Sequence, residues 1–345
     1  MGGEQGRVTM KTVADRVGVS MMTVSRAMRN QGKVSPATRR RVIDAAEKLG
    51  YRPNPLIGAL MGELRRTRPS KITPDTIAFL TFHSTEDGWR SAYSPNALFS
   101  GARARAENLG FKLEPYWARA PGMSGRRFSR MLRTRGIAGV VYAPYPIGLP
   151  PESTIQLDWD SFAPVALGFS MSDPEIHRVS LDHFRSTRTA IGKLLERGYR
   201  RIGLAASSLA DERLDHHWLA AYTYCQTTLP EHERIPPFMS AEPRREGFEK
   251  WVRQYQPDAI LGNIGLEWLR ELGDGVPDDR AYVVLSCPPN SRDFAGMCYD
   301  YHGMGAVAVD LVVEQLYHNE RGIPQIPKLV MIPGKWNEGG TVLPG

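Results

Sequence analysis

Eight histidines and three cysteines are the residues of this 345-residue chain best equipped for chemistry on their own. Their spacing does not support it. There is no His-Glu-x-x-His pair to hold zinc, no Gly-x-Ser-x-Gly elbow to expose a serine, and no P-loop or Gly-x-Gly-x-x-Gly turn to cradle phosphates. Asp215-His216-His217 is a weak metal lead, because adjacent histidines splay around a helix instead of converging. Cys287 precedes two prolines and has no evident base. Cys225, Cys287 and Cys298 lack metal-ligand spacing and cannot build a disulfide framework, which fits a reducing, cytoplasmic compartment. The expectation is a protein that binds and does not catalyse, with no cofactor and no metal.

The elements that would position a binding site follow from composition and pattern. The chain is 41% apolar and 23% charged, as in ordinary globular proteins, and is long enough for two to three domains. No run of 18 apolar residues exists, so no membrane partner is expected, and the N-terminal stretch has no apolar signal core. Charge is uneven. Residues 1–68 hold 14 basic and 5 acidic side chains, whereas the remainder holds 30 and 32. A basic head on a near-neutral body suggests a polyanion partner; a solvated basic surface is the other reading of charge alone.

Local pattern in the head is more specific. Thr9 can cap a helix over 10–17 with Val13, Ala14 and Val17 on one face. Gly18 supplies a turn, and Ser20 caps a second helix, Met21 to Met28. A third begins with Ser35 and Pro36, presents Val42, Ala45, Ala46 and Leu49 inward, and ends at Gly50. Two short helices around a glycine turn, buttressed by a third, make a helix-turn-helix, although spacing alone also suits a generic three-helix bundle.

The wording of the sequence separates the two. Val8-Thr9, Val13-Ala14, Val17-Gly18-Val19-Ser20 and Thr23-Val24-Ser25-Arg26 resemble the head of the LacI/GalR family of bacterial transcriptional regulators. So do Val34-Ser35, Thr38-Arg39, Leu49-Gly50-Tyr51 and Pro53-Asn54. Thr12 departs from the Asp usual there. The resemblance implies that the second helix enters the major groove, with Met21, Met22 and Arg26 at base edges. Arg can bond guanine bidentately, whereas methionines can only pack on thymine methyls or read shape. By position, Thr9, Ser20, Thr23, Ser25 and Asn54 match phosphate contacts, and Arg29 and Lys33 can add to them. A short helix after Asn54 and Pro55 follows, marginal in isolation with its two glycines. The resemblance implies a hinge in which Leu60, with Leu56, enters the minor groove as a wedge. Docking of both leucines on the body is the alternative. Pro55 and Gly58 are not the usual family residues.

From residue 76 onward strands and helices alternate, which implies parallel sheets covered on both faces. Strands are expected at 77–82, 111–116, 137–142, 164–168, 201–205, 258–262, 281–286 and 328–332. Helices are expected at 95–109, 124–134, 182–196, 215–228, 265–272 and 303–318. Leu195-Glu196-Arg197-Gly198-Tyr199 and Trp336-Asn337-Glu338-Gly339-Gly340 extend the resemblance. It implies a periplasmic-binding-protein-like body of two doubly wound α/β subdomains with three crossovers. Expected boundaries are 7–52 for the head and 53–74 for hinge and linker. The N-subdomain takes 75–178 and 297–325, and the C-subdomain takes 179–296 and 326–345.

Ligands in such sheets bind at the carboxyl ends of strands, in the crevice between the halves. That nominates Phe82, His83, Tyr93, Asn96, Tyr142 and Pro144 from one half, and Asp182, Arg213, Asp215, Trp218 and Asn263 from the other. Ordinary packing is the alternative for each. Three sugar-reading positions of the family are altered here, at Asp215-His216-His217-Trp218, Gly262-Asn263-Ile264-Gly265 and Leu285-Ser286-Cys287-Pro288. The resulting expectation is a sequence-specific, homodimeric regulator, a repressor that binds double-stranded operator DNA under a small-molecule effector. The effector is of sugar type or, given the altered positions, no sugar at all. The chain end carries no apolar heptads, which favours a dimer over a tetramer. The competing expectation is a ligand-binding or catalytic module whose basic head is incidental.

Overall fold

The apolar faces found by helical spacing are the ones that close the head. In the computed structural model, which describes residues 10–28, 34–49, 75–149, 155–271, 280–287 and 292–342, the chain forms two units, a small helical head and a large α/β body. The head has α1 (Met10–Val17), α2 (Met21–Met28) and α3 (Pro36–Lys48). Val13, Ala14, Val17, Val24, Ala27, Val42 and Ala46 are buried together at its centre. Two serine caps repeat one device. Ser35 Oγ accepts the Thr38 N–H at 3.2 Å and lies 2.8 Å from the Thr38 hydroxyl, as Ser20 does with Thr23 at similar distances.

The body is two six-stranded sheets. The first contains β1 (Thr76–Thr81), β2 (Lys112–Trp117), β3 (Gly139–Tyr142), β4 (Ala163–Leu167), β5 (His177–Asp182) and β11 (Leu329–Pro333). Their order is β11-β5-β4-β3-β1-β2, all parallel. The second contains β6 (Ile202–Ser207), β7 (Phe238–Ser240), β8 (Ala259–Gly262), β9 (Ala281–Cys287), β10 (Ala295–Cys298) and β12 (Lys335–Asn337). Its order is β12-β10-β9-β8-β6-β7, parallel except that β12 runs against β10. Central strands are buried along almost their whole length, as strands covered on both faces must be.

The body helices are α4 (Tyr93–Asn108), α5 (Gly125–Thr134), α6 (His183–Glu196), α7 (Ser208–Glu212), α8 (His217–Thr227), α9 (Arg245–Tyr255), α10 (Leu266–Arg270) and α11 (Tyr301–His318). Among the described residues, no helix is long and apolar enough to cross a membrane. Helix α11 crosses α4 at backbone contact. A Cβ on Gly101 would lie 2.0 Å from the His302 carbonyl oxygen, and one on Gly305 would lie 2.1 Å from that of Leu98. No side chain fits at either point.

Boundaries differ from the pattern-based ones. All of β5 belongs to the first sheet, so the first crossover falls after residue 182 and not near 178. All of β10 belongs to the second, so the return falls after 298 and not at 297. Strand β11 joins the first sheet, so the chain reaches the second for the last time only at β12. Residues 229–257, to which the pattern assigned nothing, carry β7 and α9. Three residues are too few to show alternation, and α9 buries only Phe248, Trp251 and Val252 among charged neighbours. The expected hinge helix, with Leu56 and Leu60, lies outside the described residues.

Gly305→Ala should lower stability by about 1–3 kcal/mol, because backbone cannot yield to the new methyl as a flexible side chain would. Chemical denaturation checks this; an unchanged midpoint would show that α4 and α11 separate freely.

Candidate functional site

In the head, Gly18 makes the turn between α1 and α2, with φ of +73°. Its N–H and that of Val19 both reach the Ala14 carbonyl, at 2.9 and 3.1 Å. Ser20 Oγ then accepts the Thr23 N–H at 3.1 Å and starts α2. Val24 and Ala27 hold that helix to the core. Met21, Met22, Ser25 and Arg26 stand on the α2 backbone; their side chains lie outside the described residues, as do Thr9, Arg29, Lys33 and Asn54 altogether. Arg41 is engaged internally. Its guanidinium donates to the Val17 carbonyl at 2.8 Å, at the electronegative end of α1.

In the body, the chain passes between the two sheets three times, at 182–183, 299–300 and 334. The three crossings touch. The Gly334 N–H donates to Ser186 Oγ at 3.1 Å. A Cβ on Gly334 would lie 2.7 Å from the Tyr299 ring and 2.8 Å from Ser186 Oγ, so a side chain there displaces one crossing. Tyr299 Oη lies 3.1 Å from His183 Nδ1, with the ring centroids 5.0 Å apart. Burial, with His217 adding to it, pushes the His183 imidazole down to about 3, so the ring is neutral at physiological pH.

The carboxyl ends of the two sheets meet at this hinge. The Tyr301 ring lies 6.1 Å from that of Tyr93 and 6.3 Å from that of Tyr299, and its hydroxyl is 2.9 Å from Ser286 Oγ. His217 from the second lobe stands edge-on to Phe169 of the first at 4.8 Å. Burial lowers the basicity of the His83 imidazole, and the Arg213 charge, from the opposite lobe, lowers it further. Buried polar atoms without a hydrogen-bond partner lie on these walls: His83 Nδ1, Arg213 Nε, His217 Nδ1 and Trp218 Nε1. Such atoms are costly in a finished core and usual in a surface built to bind. Among the described residues, no group of three His, Cys, Asp or Glu side chains stands where it could hold a metal ion.

One carboxylate organises the second wall. Asp211 is fully buried, and its Oδ1 accepts the N–H groups of Trp218 and Leu219 at 3.0 and 3.3 Å. Its Oδ2 faces His216 Nδ1 at 3.5 Å. The backbone between is folded into two consecutive left-handed residues, Asp215 and His216, so α8 begins at His217 and not at 215. Non-glycine residues enter that region at a cost and cluster at functional turns.

The nominated residues divide accordingly. His83, Tyr93, Arg213 and Trp218 join the hinge cluster; Trp218 packs on His183 with centroids 5.8 Å apart. Asp215 is exposed beside it and favours the charge of Arg178. Asp182 serves as the N-cap of α6, accepting the Arg185 N–H at 2.9 Å. Asn263 Oδ1 accepts the Ser207 N–H at 3.0 Å and ties the ends of β6 and β8. Tyr142 is buried between Phe82 and Trp159 in the first lobe, Pro144 lies against the Gly168 turn, and Asn96 is exposed on the first turn of α4. Sequence reasoning passed over His183, Asp211, Tyr299 and Tyr301. Only the position of His183 directly after β5 and of the two tyrosines after β10 signalled them.

A helix-turn-helix head followed by a two-lobed, doubly wound α/β body defines a two-part class of protein. Residues 9–54 match the model of bacterial regulatory proteins, lacI family. The chain is 26% identical to catabolite control protein A of Priestia megaterium over 61% of its length and 58% of that protein's. It is 28% identical to the transcriptional repressor CytR of Escherichia coli over 64% of its length and 59% of that protein's. It thus spans a little under three fifths of the length of these two relatives. The transcriptional regulator CelR of Thermobifida fusca is 27% identical over 80% of this chain and 81% of its own. Among solved structures, a CelR–cellobiose complex superposes with a TM-score of 0.54 at 20% identity, covering 96% of this chain and 99% of that one. A lac repressor dimer bound to operator and the anti-inducer ONPF gives 0.53 at 18%, covering 98% and 99%. These two likenesses bear on the fold.

The neutral state of His183 has a pH consequence. Its folded value, about 3, lies below the ordinary 6.5, so it contributes stability that is full above pH 6.5 and is lost as pH falls from there toward 3. His183→Asn should therefore show a shallower loss of stability than the parent chain as pH falls below 6.5, read from denaturation midpoints. Parallel slopes would mean that His183 is not buried as a neutral ring.

Proposed function

We propose that this protein is a sequence-specific, homodimeric DNA-binding regulator, a repressor, whose operator affinity is set by a small molecule in the hinge cleft. The lacI-type head carries this reading: its second helix begins at a serine-capped glycine turn and is held to the core by Val24 and Ala27. Met21, Met22 and Arg26 are assigned to base edges. Thr9, Ser20, Thr23, Ser25, Arg29, Lys33 and Asn54 are assigned to phosphates, and Leu56 and Leu60 to the minor groove. The named ligands of two relatives, cellobiose and ONPF, support a small-molecule effector for the body.

The physical route is a two-state shift. A ligand that binds one arrangement of the lobes more tightly moves the equilibrium toward it, and operator and effector then alter each other's affinity by the same factor. The part played by this chain's own residues is local. Tyr299, Ser186, His183 and Gly334 hold the crossings together, so closure of the cleft turns the lobes about one packed point. No reaction is assigned to the cleft, and a cytoplasmic location follows from the DNA partner.

Selection from random duplexes tests the reading. The expected product is a pseudopalindromic consensus whose affinity falls steeply with salt; weak binding that is uniform across sequences would sink it. Arg26→Ala should cost about 1–3 kcal/mol on the selected site and relax preference at the base it reads. Leu60→Ala should reduce bending of the duplex, measured by circular-permutation mobility or energy transfer between labelled ends, and an unchanged bend would remove the wedge from that residue.

A further inference from the structure

The charge arrangement in the cleft narrows the class of ligand. We propose that the effector carries an anionic group, a carboxylate or phosphate on a polyol, and that Arg213 receives it. This rests on the cleft being the effector site.

The argument begins with how other arginines of the body are treated. Arg178 is buried, and its guanidinium donates to the carbonyls of Gly168 and Met171. Arg201 donates to the carbonyls of His232, Tyr255 and Gln256. Arg197 reaches the Lys193 carbonyl and the Glu338 carboxylate. Arg213 has none of this. It is half-buried, its Nε is sealed from solvent without a partner, and among the described residues no carboxylate lies within 4.0 Å of its guanidinium. Burial lowers its basicity, and among the described residues the one group that favours its charge is the Tyr301 hydroxyl.

The nearby acids are already engaged. Asp182 caps α6, Asp211 holds the start of α8, and Asp300 Oδ1 accepts the Gly303 N–H at 2.7 Å in the first turn of α11. Asp215 is exposed and acts on Arg178. From the opposite lobe His83 and Tyr301 both feel Arg213, and His83 is itself a potential donor with Nδ1 unpartnered. His217 adds another unpartnered imidazole nitrogen on the second wall. Imidazoles able to donate, set beside an uncompensated cation, are the complement of an anion. Sugar hydroxyls can accept from Arg213, but they leave its charge unbalanced, whereas a carboxylate or phosphate accepts two parallel bonds and neutralises it.

The test is calorimetric titration of the full chain, at constant ionic strength, with D-glucose, D-glucuronate and D-glucose 6-phosphate. At least one of the two acids should bind about tenfold or more tightly than D-glucose, the strength of a charge-assisted pair over a neutral one. The two acids separate carboxylate from phosphate as the preferred group. Arg213→Gln should abolish that advantage, and Arg213→Lys should restore part of it. The unliganded protein gives a second readout: Arg213→Met should raise the melting temperature, because it removes a half-buried charge with no carboxylate partner among the described residues. Equal binding of D-glucose and both acids, binding of none of the three, an advantage that survives Arg213→Gln, or a lower melting temperature for Arg213→Met would each overturn the proposal. Operator selection on the parent chain is read separately, so failure here leaves the regulator reading standing, and failure there sinks it.

Discussion

The contact between Tyr299 and His183 lies where three passages of chain between the lobes press together, and the rest of the body is arranged around it. With Ser186 and Gly334 it forms a small polar knot in which a single added carbon on the glycine has no room. A knot of this kind keeps the lobes in register while leaving them joined by few residues. The walls on either side can then be shaped independently, one by β1 and α4, the other by β6, β9 and the turn before α8.

The distribution of polar groups in the cleft follows from that division. Helices that begin at strand ends need their first N–H groups satisfied, and carboxylates do this well. Asp182, Asp211 and Asp300 all serve helix starts near the hinge. Their use as caps leaves Arg213, His83 and His217 without a carboxylate partner among the described residues. In the function proposed, the local demand of helix capping and the demand of ligand recognition are met by different groups within one small volume. Local duty is assigned in the head as well, where Ser20 and Ser35 start helices and Arg41 closes the end of one.

The two units are built on different physics. The head encloses a few valines and alanines around a glycine turn, so its shape is set almost entirely by residues close in sequence. The body depends on strands far apart in the chain, and its sheets are completed by β11 and β12, which return from the end of the sequence to pair with β5 and β10. In the function proposed, a ligand in the body must bias a bistable element, and the triple crossing provides its pivot.

Much of this was legible in the linear sequence. The head could be read because capping serines, Gly18 and the apolar spacing of Val13, Val17, Val24 and Val42 act within a turn or two of themselves. Alternation of strand and helix was legible for the same reason, and so was the placement of His83, Arg213 and Trp218 near strand ends. What the tertiary structure decided is which strand ends converge and which polar groups they share. Nothing local distinguishes Asp182 and Asn263, which hold backbone, from Arg213, whose Nε holds nothing. Nor does any local pattern announce that His183, Asp211 and Tyr299, 116 residues apart at the extremes, belong to one site. Their roles depend on burial and on partners brought from distant segments, and burial is a property of the folded chain alone.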